Sequence, residues 1–473
     1  MDYKKLGFKC GIEIHQQLEG KKLFCNCPTV IRKDKPDFEF DRRLRASAGE
    51  SGKVDVVASS EQKKGKLFTY WGYSDINCLV EMDEEPPGSI NQDALKTAMQ
   101  VSKMLNCETA DKIQFMRKTV VDGSNTSGFQ RTALIGRNGF ITVNGKKIGI
   151  AGVFLEEEAC QIMKRTKEHD IYNLSRLGIP LLEVSTDPDI RSPEECKEVA
   201  AKIGMILRST GACKRGIGSI RQDVNISIKG GVRTEVKGFQ DLKSIPKVIE
   251  AEVKRHQKLL TQKKKMINEV RKAEPDFSTS FLRLMPGASR MYPETDVPAI
   301  IPKVDGLEKV ETIDDREKHY KKKFDLNLNV SKQVVKEEDR KHFNFEEIAT
   351  VFPNIAPSFI ASSLTQTSTE MRRHFNWDPE VEVFTEEIFP KLNAGYLTSS
   401  SVSSILEEKS KGKTIDYSKY EVISSGNLEK EIKVIVEKNK GAPIGALMGM
   451  IMAKFKGNVD GKQAMDILKK YIN

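Results

Sequence analysis

No stretch of the 473-residue chain reaches the roughly 18 consecutive apolar residues that a membrane-spanning helix needs. The opening residues, MDYKKLGFKC, carry neither an apolar core nor a cleavage pattern, so no secretory leader is expected there. Neither GxxxxGK[ST] nor GxGxxG occurs, which leaves a P-loop and a dinucleotide-binding Rossmann unit without support. RRM and KH signatures are missing as well, and no internal repeat is visible. The eight cysteines are scattered through the first half, unlike the dense framework of a small secreted domain, and read as reduced cytoplasmic thiols. Cys25-Asn26-Cys27 offers two thiolates to a zinc ion, but no second close pair accompanies it and Cys78 stands alone, so free thiols are the expectation.

Hydrophobic residues at 38% allow a core, and charged residues at 30% solvate the surface. The net charge of +10 biases the chain towards polyanions, although 67 acidic residues accompany 77 basic ones. Phe8, Cys10, Ile12 and Ile14 alternate with Lys9, Gly11, Glu13 and His15, which predicts a half-buried strand. The same period runs through Arg221–Lys229 and 232–237, and Asn144-Gly145 between two apolar runs predicts a hairpin. Ser192-Pro193-Glu194-Glu195 supplies a helix N-cap, a first-turn proline and a capping-box acid, with Gly211 as the stop. A second helix is predicted from Ser244-Ile245-Pro246 through Leu260. Strands and helices mixed in this way point to an α+β fold rather than a βαβ repeat. From about residue 312 the alternation gives way to charged helical segments, ending in apolar stripes around Leu428–Val436 and Ile444–Phe455, with Asp460 capping the last helix.

Four acid-bearing segments could carry chemistry. Glu13 and His15 share a strand face and can reach one Mg²⁺, a pattern that two solvated strand residues also produce. Glu156-Glu157-Glu158 follow an apolar run, and a cation or a solvated loop would relieve their repulsion. Glu183 sits inside the apolar run Leu181–Val184, where an unpaired carboxylate is costly. Arg221, Asp223, Asn225, Glu235 and Lys237 fall on alternating positions suited to a phosphate and its metal, or to a surface ion-pair ladder. The glycine-punctuated loop Asp122–Thr132, after Arg117-Lys118, could cradle an anion with its amides.

Together, GIEIHQQLEGKKLFCNC, CLVEMDEEPP, MRKTVVDGSNTSGFQRT, LEEEA, RLGIPLLEVSTDPDI, GSIRQDVNISI, TEVKGFQDL, MYPETDVP and GALMGMIMAKFKGNVDGK resemble, in order, the GatB/GatE family of tRNA-dependent amidotransferases, and its archaeal E type in particular. The resemblance implies a mixed-sheet catalytic cradle domain at 1–300, a helical domain at 301–395 and a small helical YqeY-like tRNA-binding tail at 396–473. It implies an enzyme that uses ATP and Mg²⁺ to phosphorylate the glutamate of Glu-tRNA(Gln), then amidates it with ammonia from an asparaginase-like D subunit. It places metal ligands on His15, Glu157 and Glu183 and a further site acid on Glu13; Asp223, Asn225, Glu235 and Lys237 lie in matching motifs, and together with Lys118 and Arg221 they are expected to contact the nucleotide on chemical grounds. Glu156 and Glu158 flank the implied ligand. Lys454, Lys456, Lys462, Lys469 and Lys470 are candidate phosphate contacts of the tail.

The chain departs from the E type in one respect. An aspartyl-tRNA-synthetase-like insertion is expected between the helix near residue 260 and the MYPETD motif, yet only about thirty residues lie there. A bacterial B-type chain, a non-catalytic tRNA scaffold and a free-standing Mg²⁺-dependent phosphotransferase are the alternatives. Scaffolding would leave activity insensitive to loss of His15, Glu157 or Glu183.

Overall fold

The structure, a computed structural model, describes residues 1–48, 52–285, 291–303, 306–308, 310–423, 425–455, 458–459 and 461–472. It comprises two compact units, Met1–Thr312 and Ile313–Asn473. The first holds strands β1 (Lys9–Gln17), β2 (Phe38–Arg42), β3 (Leu67–Gly72), β4 (Glu108–Thr109) and β5 (Phe115–Thr119). It continues with β6 (Phe129–Val143), β7 (Lys146–Glu157), β8 (Gln161–Arg165), β9 (His169–Asn173) and β10 (Pro180–Thr186). The last are β11 (Ile220–Ser227), β12 (Thr234–Phe239), β13 (Glu269–Ala273), β14 (Thr279–Leu284) and β15 (Met291–Pro293). Helices α1 (Val56–Gln62), α2 (Gln92–Met104), α3 (Pro193–Ser209) and α4 (Ile245–Thr261) complete it.

One large sheet runs β14-β13-β12-β11-β1-β10-β7-β6-β5-β15, with β4 beside β6. Its pairings are antiparallel except β12 with β13, so the mixed α+β architecture is as expected. The β6–β7 hairpin turns on Asn144 (φ 49°) and Gly145 (φ 77°), the two left-handed residues that a type I′ turn requires. Ser192 caps α3 by accepting from the Glu195 amide at 3.2 Å, while the Glu195 carboxylate accepts from the Arg191 amide, one residue before the cap. A second sheet, β2-β3-β9-β8, turns Phe68, Tyr70 and Tyr172 into a small apolar cluster of its own.

Helix α4 is tied to the large sheet by a buried polar knot. Glu252 and His256 are fully buried. The Glu252 carboxylate meets His256 Nε2 at 3.1 Å and Arg255 Nη2 at 2.6 Å, and accepts from Thr279 Oγ1 at 2.6 Å. Burial alone would raise its pKa, but hydrogen bonds from His256, Arg255 and Thr279 outweigh that and hold it at about 2.

In the second unit, helices between Ile313 and Ser410 enclose an apolar cluster that runs from Tyr320 to Tyr420. A separate cluster joins Leu428, Ile432, Leu447, Ile451, Ala464 and Leu468 across three further helices, so both predicted stripes feed the core, although Ile444 at the start of the second is exposed. Lys456 and Asp460 lie outside the described residues. No helix among the described residues is long and apolar enough to cross a membrane.

The knot gives a stability test. Replacing Glu252 by glutamine leaves Arg255 and Arg271, which both also reach Glu269 at 3.0 Å, to share that one carboxylate, and is expected to cost about 3 kcal/mol in urea unfolding at neutral pH. A carboxylate whose folded pKa is depressed stabilises fully above its unfolded value of about 4.3 and less as pH falls towards the folded one. The gap between wild type and E252Q should therefore hold down to about pH 5 and narrow as the pH falls towards 2. A gap that stays constant over that range would show that the carboxylate's charge is not what the knot uses.

Candidate functional site

Strand β1 lies between β10 and β11, and its register decides what shares a face. His15 stands opposite Glu183 on one side and Arg221 on the other, and Glu13 stands opposite Ser185 and Asp223. One strand further out on each side, Glu156 pairs with Leu181 and Glu235 with Asn225. Directly opposed residues of neighbouring strands project from the same face. This face floors a cavity of about 770 Å³, lined by Glu13, His15, Lys118, Glu156, Glu158, Glu183, Arg221, Asp223, Glu235 and Lys237. That volume is within the range of cofactor and substrate sites.

Two donor sets converge there, each with its ligand atoms within 4.8 Å of one another: His15 with Glu156 and Glu183, and Glu13 with Asp223 and Glu235. In the first, His15 Nε2 lies 3.3 Å from Glu183 Oε2. Lys118 Nζ lies 2.6 Å from Glu156, which also accepts from Thr132 Oγ1 and Gln130 Nε2. In the second, Lys237 Nζ bridges Asp223 and Glu235 at 2.5 Å each. Asn225 Nδ2 donates to Glu13 Oε1 at 3.0 Å, and Asn225 Oδ1 accepts from Arg233 Nε at 3.0 Å.

Glu157, expected as a metal ligand, is not in this cavity. Adjacent strand residues point to opposite faces, so Glu156 takes the cavity side. Glu157 turns to the other, where Arg131 Nη1 lies 3.3 Å away and Arg131 Nε reaches Glu294 at 2.7 Å. Burial raises the pKa of Glu157 against the pull of Arg131. Glu158, back on the cavity side, sits 2.7 Å from Arg221 and accepts from Gln17 at 2.8 Å. Burial would raise its pKa, but Arg221 and Arg176 bring it down to about 2.

Electrostatics separates the remaining groups. Burial, with Glu183 and Glu235 adding repulsion, pushes Glu13 up to about 7. Glu183 is held below the ordinary carboxylate range, because the hydrogen bond and charge of His15 outweigh its burial. Burial lowers the affinity of His15 for a proton, yet Glu183 and Asp223 more than compensate and its pKa is raised. Lys237 is likewise raised by Asp223 and Glu235 despite its burial.

Of the predicted Asp122–Thr132 loop, Phe129–Thr132 begin β6 because they pair with β5, while the loop proper forms part of the wall through Asp122, Ser124 and Asn125. Its amides do not all face an anion: Ser124 N donates to Asp122 Oδ1 and Gly128 N to the Asn125 carbonyl. Gly123 has φ +90°, and a Cβ there would sit 2.4 Å from the Phe68 ring and 2.6 Å from that of Tyr172. Tyr70 and Tyr172 donate to the carbonyls of Gly123 and Asp122. The aromatic cluster of the second sheet thus holds the loop against the cavity.

The donor set fits a hard divalent cation: two carboxylates and an imidazole, with open space for waters or phosphate oxygens. Gln130 and Thr132, from the segment expected to cradle an anion, line the cavity, and so do Arg233 and Arg283, which were not expected as site residues. Only strand register brings them in.

A family profile described as the GatB/GatE catalytic domain matches residues 8–308. A protein of Methanococcus maripaludis, named as the E subunit of a glutamyl-tRNA(Gln) amidotransferase, is 35% identical over 628 residues, covering 99% of this chain and 98% of the relative. Proteins of that name from Methanocaldococcus jannaschii and Archaeoglobus fulgidus are each 34% identical, covering 99% of this chain and 99% and 98% of themselves. The 628-residue alignment exceeds the 473 residues here, so that relative carries residues with no counterpart in this chain.

The exchange of Glu157 for Glu156 is testable by Mn²⁺ binding, followed through the paramagnetic signal of the free ion. E156Q is expected to weaken binding by more than about tenfold, since a charged ligand is lost. E157Q should leave binding within about twofold while lowering the urea midpoint, because Arg131 loses a buried partner. The reverse pattern would return the ligand role to Glu157.

Proposed function

The chain belongs to the GatB/GatE family, and from that premise we propose that it is the tRNA-dependent component of a glutamyl-tRNA(Gln) amidotransferase, an enzyme of protein biosynthesis. The observation that carries this reading is the convergence of His15, Glu156 and Glu183, beside Lys118, Arg221 and Lys237, on the floor of one cavity. A carboxylate is a poor acyl donor because its leaving group would be an oxide. In the proposed reaction the glutamate side chain of Glu-tRNA(Gln) takes the γ-phosphoryl group of ATP, and ammonia then displaces phosphate to leave the amide.

His15, Glu156 and Glu183 would hold Mg²⁺, which when bound supplies positive charge against phosphate oxygens. Lys118, Arg221 and Lys237 each have a carboxylate partner in the cavity, and bind phosphate oxygens by exchanging one anion for another. Asn225 holds Glu13 by Oε1, which leaves Oε2 open. A carboxyl that titrates near 7 both takes and releases a proton at working pH, so Glu13 is the group to accept the proton that the attacking nitrogen sheds. Asp223 and Glu235 fix the Lys237 ammonium in place. The work of the cavity is positioning and charge placement.

Ammonia comes from a partner, the asparaginase-like D subunit, and the reaction takes place in the cytoplasm, where charged tRNA is used. The C-terminal helices around Leu428, Ile451 and Leu468 form the YqeY-like tail that grips tRNA by shape and backbone. Lys462, Lys469 and Lys470 are exposed there, and Lys454 reaches Glu431 at 2.6 Å.

Incubating the chain and its ammonia-releasing partner with γ-labelled ATP is expected to release phosphate only when Glu-tRNA(Gln) is present. E183A should cut that release by at least about 100-fold, the scale of losing one electrostatic element of a catalytic site, while tRNA is still retained on a filter. Equal release by mutant and wild type would leave the chain as a tRNA scaffold.

A further inference from the structure

The lysines and arginines that line the cradle cavity are of two kinds. Lys118, Arg221 and Lys237 each lie within 2.7 Å of a carboxylate on the floor. Arg233 and Arg283 have no acid within ion-pair reach among the described residues. Arg233 stands just before β12 and is exposed. Its Nε donates to Asn225 Oδ1 at 3.0 Å, and among the described residues its two Nη groups have no partner. Arg283, on β14, is half-buried, and its side chain makes no hydrogen bond to a described residue. Asp55, Glu61 and Asp122 share a small side pocket with it, yet each is engaged elsewhere. Asp55 accepts from the Ala58 amide at 3.1 Å, Glu61 from Lys64 at 2.6 Å and Asp122 from the Ser124 amide at 3.0 Å.

The register sets both arginines on one lip of the cavity. Val270 of β13 lies opposite Glu235 on one side and Arg283 on the other, and Arg233 precedes Glu235 by two residues, on the same face. Two strand spacings, roughly 10 Å, separate their rows, so these long side chains can hold successive phosphates of one chain. Strand β14 is one edge of the large sheet and β15 the other. Arg283 of the first and Met291 of the second line the same cavity, so the sheet curls until its edges frame the mouth.

We propose that Arg233 and Arg283 form a phosphodiester clamp at the mouth, which positions the 3′ end of the charged RNA while the triphosphate lies on the floor. The inference rests on the proposed reaction. An unpaired guanidinium binds phosphate without displacing a protein anion, and its N–H fork matches the phosphate oxygens. A phosphate on the floor has to be exchanged for a carboxylate; one on this lip does not. ATP enters the cavity whole. A glutamyl group that reaches the floor stays joined to a polynucleotide, whose nearest phosphodiesters are left at the mouth. Arg233 also links the clamp to the chemistry, because the Asn225 amide that accepts from it donates to Glu13 Oε1 at 3.0 Å.

The test uses the full chain with its ammonia-releasing partner, and first measures retention of Glu-tRNA(Gln) on a filter over a range of KCl concentrations. The logarithm of the affinity falls with that of the salt by about 0.7 for each single-strand phosphate neutralised, so R233Q/R283Q is expected to flatten the slope by about 1.4 and R283Q alone by about 0.7. In turnover, R283Q should raise the KM for Glu-tRNA(Gln) about tenfold, with kcat and the KM for ATP each within about twofold. R283K keeps the charge but not the fork, and should recover the slope more fully than the KM. The R283Q arm stands even if the double variant fails to fold, since Arg283 holds no described side chain. An unchanged slope in folded R283Q, with wild type retaining tRNA, overturns the clamp and leaves the proposed reaction standing. A raised KM for ATP beside an unchanged KM for tRNA also overturns it, by giving the arginine to the triphosphate. Wild type that releases phosphate without tRNA overturns the reaction, and the clamp with it.

Discussion

The antiparallel register of β1 against β10 and β11 is the constraint on which the cavity rests. It sets His15 between Glu183 and Arg221, and Glu13 between Ser185 and Asp223. Side chains alternate along a strand, so a slip of one residue would send all of these polar groups into the apolar face and bring Ile12 and Ile14 to the cavity. Burying Phe8, Cys10, Ile12 and Ile14 is what holds the register, so the same hydrophobic alternation that folds the strand places its chemistry. Position in the sheet adds to this: β1 is a central strand, and neighbours on both sides contribute carboxylates and cations that no single strand could assemble.

That convergence creates an electrostatic problem, and its solution shapes the site. Six carboxyl groups line the floor of one cavity, and each of five makes a close contact with a cationic or protonatable partner. Glu13 is the exception. Its near neighbour is the neutral amide of Asn225, so burial and like charge raise its pKa instead. The groups therefore fall into two kinds: ionised pairs that can exchange partners with an anionic substrate or a cation, and one carboxyl whose proton is loosely held at neutral pH. A cavity built only of ion pairs would bind phosphate but offer no proton acceptor; one built only of raised carboxyls would repel it.

Much of this could be read in the chain before any coordinates. The alternation at Phe8–His15, the Asn144-Gly145 turn, the Ser192 cap and the loss of strand pattern near residue 312 each rest on local chemistry, and local chemistry is what a sequence displays. The resemblance carried by the long motifs assigned the family. What could not be read was parity between strands. Glu156, Glu157 and Glu158 are adjacent acids, and only the pairing of Leu181 with Glu156 and of Glu183 with Phe154 shows that the first and third face the cavity and the second does not. Cys78 reads as standing alone for the same reason: the fold brings it beside Cys25 and Cys27, fifty residues away, and spacing says nothing of where a chain returns.

The supports of the cavity also converge on one loop from two independent directions. The second sheet presses Phe68 and Tyr172 on Gly123, and only a residue without a Cβ fits between those rings. From the other side, the Glu81 carbonyl holds the Thr126 hydroxyl. Ser124 and Asn125 line the wall between these two anchors, with Asp122 beside the first. Because Ser124 and Gly128 spend their amides within the loop, its shape is set before any ligand arrives, and ligand binding need not supply the ordering free energy. A wall organised in this way presents fixed dipoles to a reacting group, which is the condition under which a preorganised site stabilises developing charge better than water does.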